Sequence, residues 1–160
     1  MKILDACCGG KMFWYKKDLP FVVYQDIRTE RKEYSGGRII TIQPDKIGDV
    51  TKMDYEDETF DMVIFDPPHL IHVGENSWLN IKYGHLPTDY KEFMKKAFEE
   101  CFRVLKENGT LVFKWSENQI TFKEIVKLSR YIPLIGDKRS QTRWTVFVKN
   151  SFLKRERKDS

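Results

Sequence analysis

An apolar run, Met62-Val63-Ile64-Phe65, stops on Asp66-Pro67-Pro68-His69, and that ending limits the fold more than any other stretch of the chain. The run has the length and composition of a buried strand. The prolines that follow hold φ near −65° and bring no N–H donors, so a sheet cannot continue through them. They leave a stiff, acceptor-rich turn with a carboxylate beside it. A carboxylate and a carbonyl placed this way can converge on one flat donor group, an amine or an amide. A strand followed by a merely rigid turn would be written with the same letters, so the surroundings decide.

Length and composition narrow those surroundings. A chain of 160 residues is one domain with a single substantial core. With 41% hydrophobic and 14% aromatic residues, disorder is not expected. No apolar run approaches the ~20 residues that cross a bilayer. Asp5 interrupts the N-terminus before a leader could form, so the expectation is a cytoplasmic protein with no membrane partner. Cys7, Cys8 and Cys101 form neither a disulfide framework nor a zinc-binding spacing. The net charge of +4 permits nucleic-acid binding without arguing for it. Much of the excess lies in Lys154-Arg155-Glu156-Arg157-Lys158, within a basic tail over 151–160 that is expected to be a solvated end.

Residues 1–150 read as the domain itself. Lys2 to Cys7 is a first strand closed by Gly9-Gly10, followed by a short helix over about Met12 to Lys17 that Asp18-Leu19-Pro20 ends. Phe21 to Tyr24 is a second strand, ending at Gln25-Asp26. Arg28 to Tyr34 is charged and unassigned. Ser35-Gly36-Gly37 turns the chain into an Arg38–Ile42 strand, and Ile47 to Val50 carries a further strand end. After Asp61 to Phe65 comes a long connection, Leu70 to Thr88, of the kind that serves as a lid or binding loop. Tyr90, Phe93, Met94, Ala97, Phe98, Cys101, Phe102 and Leu105 then mark one face of a helix, with Asp89 and Glu92 at its start and Asn108-Gly109 as its stop. Thr110 to Trp115 is a strand, Thr121 opens a second helix to about Tyr131 before Pro133, and Thr145 to Val148 is the last strand. Strands alternating with helices predict an α/β fold, a single-domain three-layer sandwich with a mainly parallel sheet covered on both faces.

In such a sheet, ligands sit beyond the carboxyl ends of the strands, where strand order reverses. Chemical groups collect at those ends: Asp5 to Gly10, Asp26, Asp49 and Asp66. Gly9-Gly10 permits close backbone approach. Asp26 lies 21 residues after Asp5, about the spacing at which an acid meets ribose hydroxyls. Together these predict a nucleoside-type cofactor. A phosphate-binding loop is excluded because Lys11 is followed by Met12 and Asp5 stands where its first glycine would be; no G-x-G-x-x-G occurs either. A cofactor without phosphate is therefore favoured. His69-x-x-His72 lacks further ligands at a usable spacing, and no metal is expected.

These features resemble the Rossmann-like methyltransferases that depend on S-adenosylmethionine, over Lys2 to about Lys149. Asp66-Pro67-Pro68-His69 is similar to the [DN]-P-P-[aromatic] signature of enzymes that methylate exocyclic amines of nucleic-acid bases, or planar amides in proteins. The resemblance implies a Rossmann-like sheet with an antiparallel last strand and S-adenosylmethionine as cofactor. It implies that Asp5, Cys7 and Gly9 hold the methionine part, with Gly10 and Lys11 also at the cofactor, Lys11 standing where many members carry a further glycine. Asp26 would take the ribose hydroxyls with Ile27 beside the adenine, and Asp49 and Val50 would meet the adenine amine and ring. Asp66, Pro67, Pro68 and His69 would be the catalytic set, His69 replacing a larger aromatic ring.

The implied reaction is N-methylation of a base in DNA or RNA, adenine foremost, with DNA methylation as the reference case. A base inside a duplex cannot reach such a pocket, so the nucleic-acid partner would be single-stranded or extruded. Trp78, Tyr83, His85 and Trp115 are the candidates to line the acceptor pocket. Alternatives of other kinds are a cofactor-binding or recognition subunit of a larger methyltransferase complex, working with a catalytic partner or a recognition subunit, and a methyltransferase acting on a glutamine amide.

Overall fold

The computed structural model describes residues 1–34 and 36–156. Strand β1 (Ile3–Asp5) pairs in parallel with β2 (Val22–Asp26). Next come β3 (Glu30–Tyr34) and β4 (Arg38–Ile42), which pair only with each other as an antiparallel hairpin, and then β5 (Lys46–Ile47). Strand β6 (Phe60–Phe65) leads through α1 (Trp78–Tyr83) and α2 (Tyr90–Val104) into β7 (Leu105–Ser116). Helix α3 (Phe122–Val126), β8 (Ile135–Arg139) and β9 (Thr142–Val148) complete the chain apart from a single turn over Ser151–Leu153. The main sheet has the order β5-β2-β1-β6-β7-β9-β8. Its first five strands are parallel, and β9 and β8 run antiparallel. This is an α/β fold with a mostly parallel sheet, as expected.

Alternation sorts the apolar residues between two cores. Leu4, Val63, Phe65, Leu111, Phe113 and Phe147 face the larger one, where α2 packs. The helix turns Met94, Ala97, Phe98, Cys101 and Phe102 toward the sheet, and Asp89 caps its first turn by accepting from the Glu92 N–H. Phe98 is fully buried, with its ring 5.4 Å from Phe65 and 5.0 Å from Phe113. On the other face Ile3, Val22, Tyr24 and Ile64 are covered by Phe13, Trp14 and Leu19 of an irregular segment.

That segment corrects the expected helix over Met12 to Lys17. Lys11 takes a left-handed φ of 55°, which breaks helical geometry at the start. Trp14 is drawn to Asp5 and Tyr24 while its neighbour Phe13 packs edge-on against Trp144, so consecutive rings both point inward. Helix α3 is also shorter than expected. After Val126 the backbone tightens into bonds from Leu128 to Ile125 and from Ser129 to Val126, and the Ser129 hydroxyl takes the Tyr131 N–H. Helix α2 ends at Val104 rather than at Asn108-Gly109. Those residues form a bulge in β7, where Leu105 pairs with Phe60 and Thr110 already pairs with Met62. A Cβ on Gly109 would stand 2.7 Å from Leu105 Cδ1, so the bulge has no room for one.

Strand β8 was not expected, because all five of its residues are exposed and carry no buried stripe. The unassigned stretch before Tyr34 is β3, and the turn after it uses Gly36 and Gly37 at positive φ, while Ser35 lies outside the described residues. The tail stays exposed over 154–156 but is tied down at Arg155, whose N–H donates to the Arg130 carbonyl and whose guanidinium donates to that of Ser129. Arg157 and Lys158 lie outside the described residues. Among the described residues, no helix is long and apolar enough to cross a membrane.

Phe98 joins α2 to three strands, so Phe98→Ala should lower unfolding free energy by about 3–5 kcal/mol in urea titrations. A loss below about 1 kcal/mol would show that the helix does not seal this core.

Candidate active site

Strand order reverses at β1, which has β2 on one edge and β6 on the other. The carboxyl ends of these strands open into a cavity of about 340 Å³. Cys7, Gly9 and Gly10 line it from the end of β1, Asp26 and Ile27 from β2, and Asp49 and Val50 from the segment after β5. Asp66, Pro67 and Pro68 line it from β6, and Tyr83 and His85 from the long connection. One cavity thus contains most of the residues expected at a cofactor, Asp5 and Lys11 excepted, together with the acid-diproline turn.

Each acid is held differently. Asp26 is 5% exposed; its Oδ2 accepts from the Gly9 N–H at 2.8 Å, which ties the glycine loop to β2. Its Oδ1 accepts from the Arg28 N–H at 3.0 Å and from Arg28 Nε at 3.3 Å. Arg28 also donates through Nη1 to the Ile81 carbonyl at 3.1 Å, joining the end of β2 to α1. Asp49 is exposed, with Oδ1 accepting from the Thr51 N–H and hydroxyl in a local turn. Asp66 Oδ2 accepts from Lys114 Nζ at 3.1 Å. Burial raises the Asp66 carboxyl above its ordinary value, and the Lys114 ammonium opposes that rise.

Asp5 lies beneath the loop rather than in the cavity wall. It is completely buried, Oδ2 accepts from Trp14 Nε1 at 2.7 Å, and Oδ1 has no hydrogen-bond partner among the described residues. Burial lifts its carboxyl to about 7 despite the indole bond. Lys11 also stands outside the cavity lining, its Nζ 4.0 Å from the centre of the Tyr24 ring. Burial pushes the Cys8 thiol up to about 12 and raises Cys7 well above its usual range, so neither is a thiolate nucleophile at neutral pH.

The four expected pocket residues separate. Tyr83 and His85 line the cavity, the latter with Nδ1 2.9 Å from Asn80 Oδ1. Trp78 instead packs edge-on against Tyr34 and secures α1 to the β3–β4 hairpin. Trp115 is 1% exposed because its place in β7 turns it into the larger core, where Nε1 donates to the Ile120 carbonyl. It is therefore corrected from pocket wall to core. His69 sits behind the diproline, 5.5 Å from the Tyr83 ring and 6.4 Å from Trp115, and does not line the cavity. Burial pushes its ring down to about 4, so it is neutral at physiological pH. Past the turn, Gln119 accepts from the Ile71 and His72 N–H groups and donates to the His72 carbonyl, which fixes the chain leaving the signature.

Sequence reasoning missed Met12, Phe13, Arg28, Lys82, Phe93 and Lys114, all of which line the cavity. Arg28 had a local signal, standing two residues after a strand-end acid. Lys114 had a weaker one, a cation breaking the apolar run of its strand.

The Asp5 carboxyl makes a testable statement about pH. Folded, it titrates at about 7; unfolded, at about 4. Between those values the folded state keeps a proton that the unfolded state releases, so this contribution is complete below about 4 and is lost as pH rises through about 7. Asp5→Asn, which keeps an acceptor for the Trp14 indole, should gain about 2–3 kcal/mol relative to wild type between pH 5 and pH 8 in urea unfolding. Parallel pH profiles for the two proteins would refute it.

No family model matches the chain, and no curated protein matches it in sequence. Solved structures do match in fold. A SAM-dependent methyltransferase from Methanosarcina mazei superposes with a TM-score of 0.58 at 12% identity, over 93% of this chain and 92% of that one. A protein from Pyrococcus horikoshii gives 0.55 at 17% identity over 92% and 81%. A TehB-like SAM-dependent methyltransferase from Corynebacterium glutamicum gives 0.52 at 16% identity over 92% and 79%. The chain has the Rossmann-like α/β fold of these structures, two of which are SAM-dependent methyltransferases.

Proposed function

We propose that the chain is an S-adenosylmethionine-dependent N-methyltransferase acting on an exocyclic amine of a nucleic-acid base, adenine foremost, in single-stranded or extruded form. The observation that carries it is the meeting of Asp66-Pro67-Pro68 with Gly9, Asp26 and Asp49 around one cavity. The residues fit the cofactor. A buried acid at the end of β2 suits ribose hydroxyls, the exposed apolar Ile27 beside it suits a purine face, and the bend at Gly9 (φ 49°) suits close backbone approach. When bound, the cofactor supplies an electrophilic methyl group on a sulfonium that leaves as a neutral thioether.

The chain's own contribution is orientation and charge. An exocyclic amine is a poor nucleophile because its lone pair is delocalised into the ring. Asp66 and the Pro67 carbonyl would accept its two N–H groups, favouring a more tetrahedral nitrogen with the lone pair directed outward. Alignment of nucleophile and electrophile is worth on the order of 7–11 kcal/mol. The Asp66 carboxylate would stabilise positive charge on the acceptor nitrogen and would take the one proton that nitrogen must shed. His69, neutral and tilted against Tyr83, would brace that ring from behind where it lines the cavity.

Incubation with methyl-labelled cofactor and single-stranded, duplex and structured nucleic acids should label nucleic acid, and mass analysis of nucleosides should find the methyl on an amine nitrogen. Asp66→Ala should lower turnover roughly a hundredfold or more, about 3 kcal/mol. Label confined to a glutamine peptide, or an Asp66→Ala variant as active as wild type, would overturn the assignment.

A further inference from the structure

Lys114 is a costly residue where it stands. Phe113 and Trp115 on either side of it are buried in the larger core, which turns Lys114 to the opposite face of β7, at the mouth of the cavity. A lysine on a strand covered from both sides is tolerated when its ammonium is paired. Here Nζ lies 3.1 Å from Asp66 Oδ2, and 5.8 Å and 5.7 Å from the ring centres of Phe13 and Trp144. The rings and the carboxylate together confine the charge to one position. Its side chain is 26% exposed and that of Asp66 20%, so the pair is only partly solvated.

We propose that Lys114 is a positioning residue for the acceptor acid: its ammonium occupies Asp66 Oδ2 and leaves Oδ1 to receive the amine N–H. The inference rests on the methyl-transfer function proposed above. It assigns the two oxygens different tasks, so that one carboxylate accepts one N–H and the Pro67 carbonyl must take the other. The ammonium also gives the acid an opposing charge in a poorly solvated site, against the rise that burial imposes on its carboxyl. Asp5 on β1 and Cys7 in the following loop face Asp66 and offer no positive charge; His69 is neutral; Arg28 is engaged with Asp26, and Lys82 projects from α1 over Tyr83. The ion pair recorded for Asp66 among the described residues is the one with Lys114.

The test uses the full chain as wild type, Lys114→Met and Lys114→Arg. Carbon-detected titration of the aspartate carboxyls should show the Asp66 midpoint rising by about one unit or more in Lys114→Met and returning in Lys114→Arg. Methyl transfer at pH 7 should fall about tenfold or more in Lys114→Met through kcat, with KM for the cofactor within about twofold. The acid limb of its pH profile should move upward, so that the deficit narrows at alkaline pH, and Lys114→Arg should restore most of the rate. An unchanged Asp66 midpoint would overturn the proposal. So would a raised cofactor KM with unchanged kcat, which would make Lys114 a cofactor ligand. A wild-type chain that labels no acceptor defeats the methyl-transfer function and this role with it, whereas an active wild type with an equally active Lys114→Met defeats the role of Lys114 alone.

Discussion

Three residues, Ile3 to Asp5, are hydrogen-bonded along both edges, with Leu4 opposite Val23 on one side and Val63 on the other. Everything at the site depends on that double pairing. It brings the ends of β2 and β6 to either side of the Gly9-Gly10 loop, although Asp26 and Asp66 are 40 residues apart in the chain. Register then does the rest: Asp5 stands opposite both Tyr24 and Ile64, so the residues that follow in all three strands emerge at one level. The Gly9–Asp26 bond locks the arrangement from within the loop.

Carboxylates in a poorly solvated cleft need partners, and each acid has a different one. Asp26 is held by Arg28 and a backbone N–H, Asp66 by Lys114, and Asp5 by the Trp14 indole, with Oδ1 lacking a hydrogen-bond partner among the described residues. The consequences differ accordingly. Asp66 keeps an opposing cation, whereas Asp5 has none among the described residues and is driven toward the neutral form. Arg28 has a second consequence, since the guanidinium that holds Asp26 also holds the carbonyl of Ile81 in α1. Gly84, at the end of that helix, lies against both Pro68 and Arg28, so α1 spans the two halves of the site.

Much of this was legible in the chain because it is written in local terms. A strand buried on both faces is an apolar run, a strand end is an acid or a glycine, and a helix over a sheet is a stripe at period 3.6. What was not legible came from tertiary contact. Met12 to Lys17 looks helical until Trp14 is claimed by Asp5 and Phe13 by Trp144. Trp115 and Lys114 are neighbours in a strand, and only the register of β7 on β6 says that the tryptophan enters the core and the lysine enters the site. Strand β8 has no apolar face, and pairing with β9 alone makes it a strand.

The central claim is that the cleft at the ends of β1, β2 and β6 holds S-adenosylmethionine beside Asp66. Isothermal titration calorimetry of the cofactor into wild-type protein and into Asp26→Ala tests it without requiring the acceptor. The account predicts one site per chain in the wild type and affinity weakened roughly tenfold or more by the substitution, the loss of charge-assisted hydrogen bonds worth about 1.5–3 kcal/mol. Absence of binding by the wild type, or equal affinity in the variant, would contradict it.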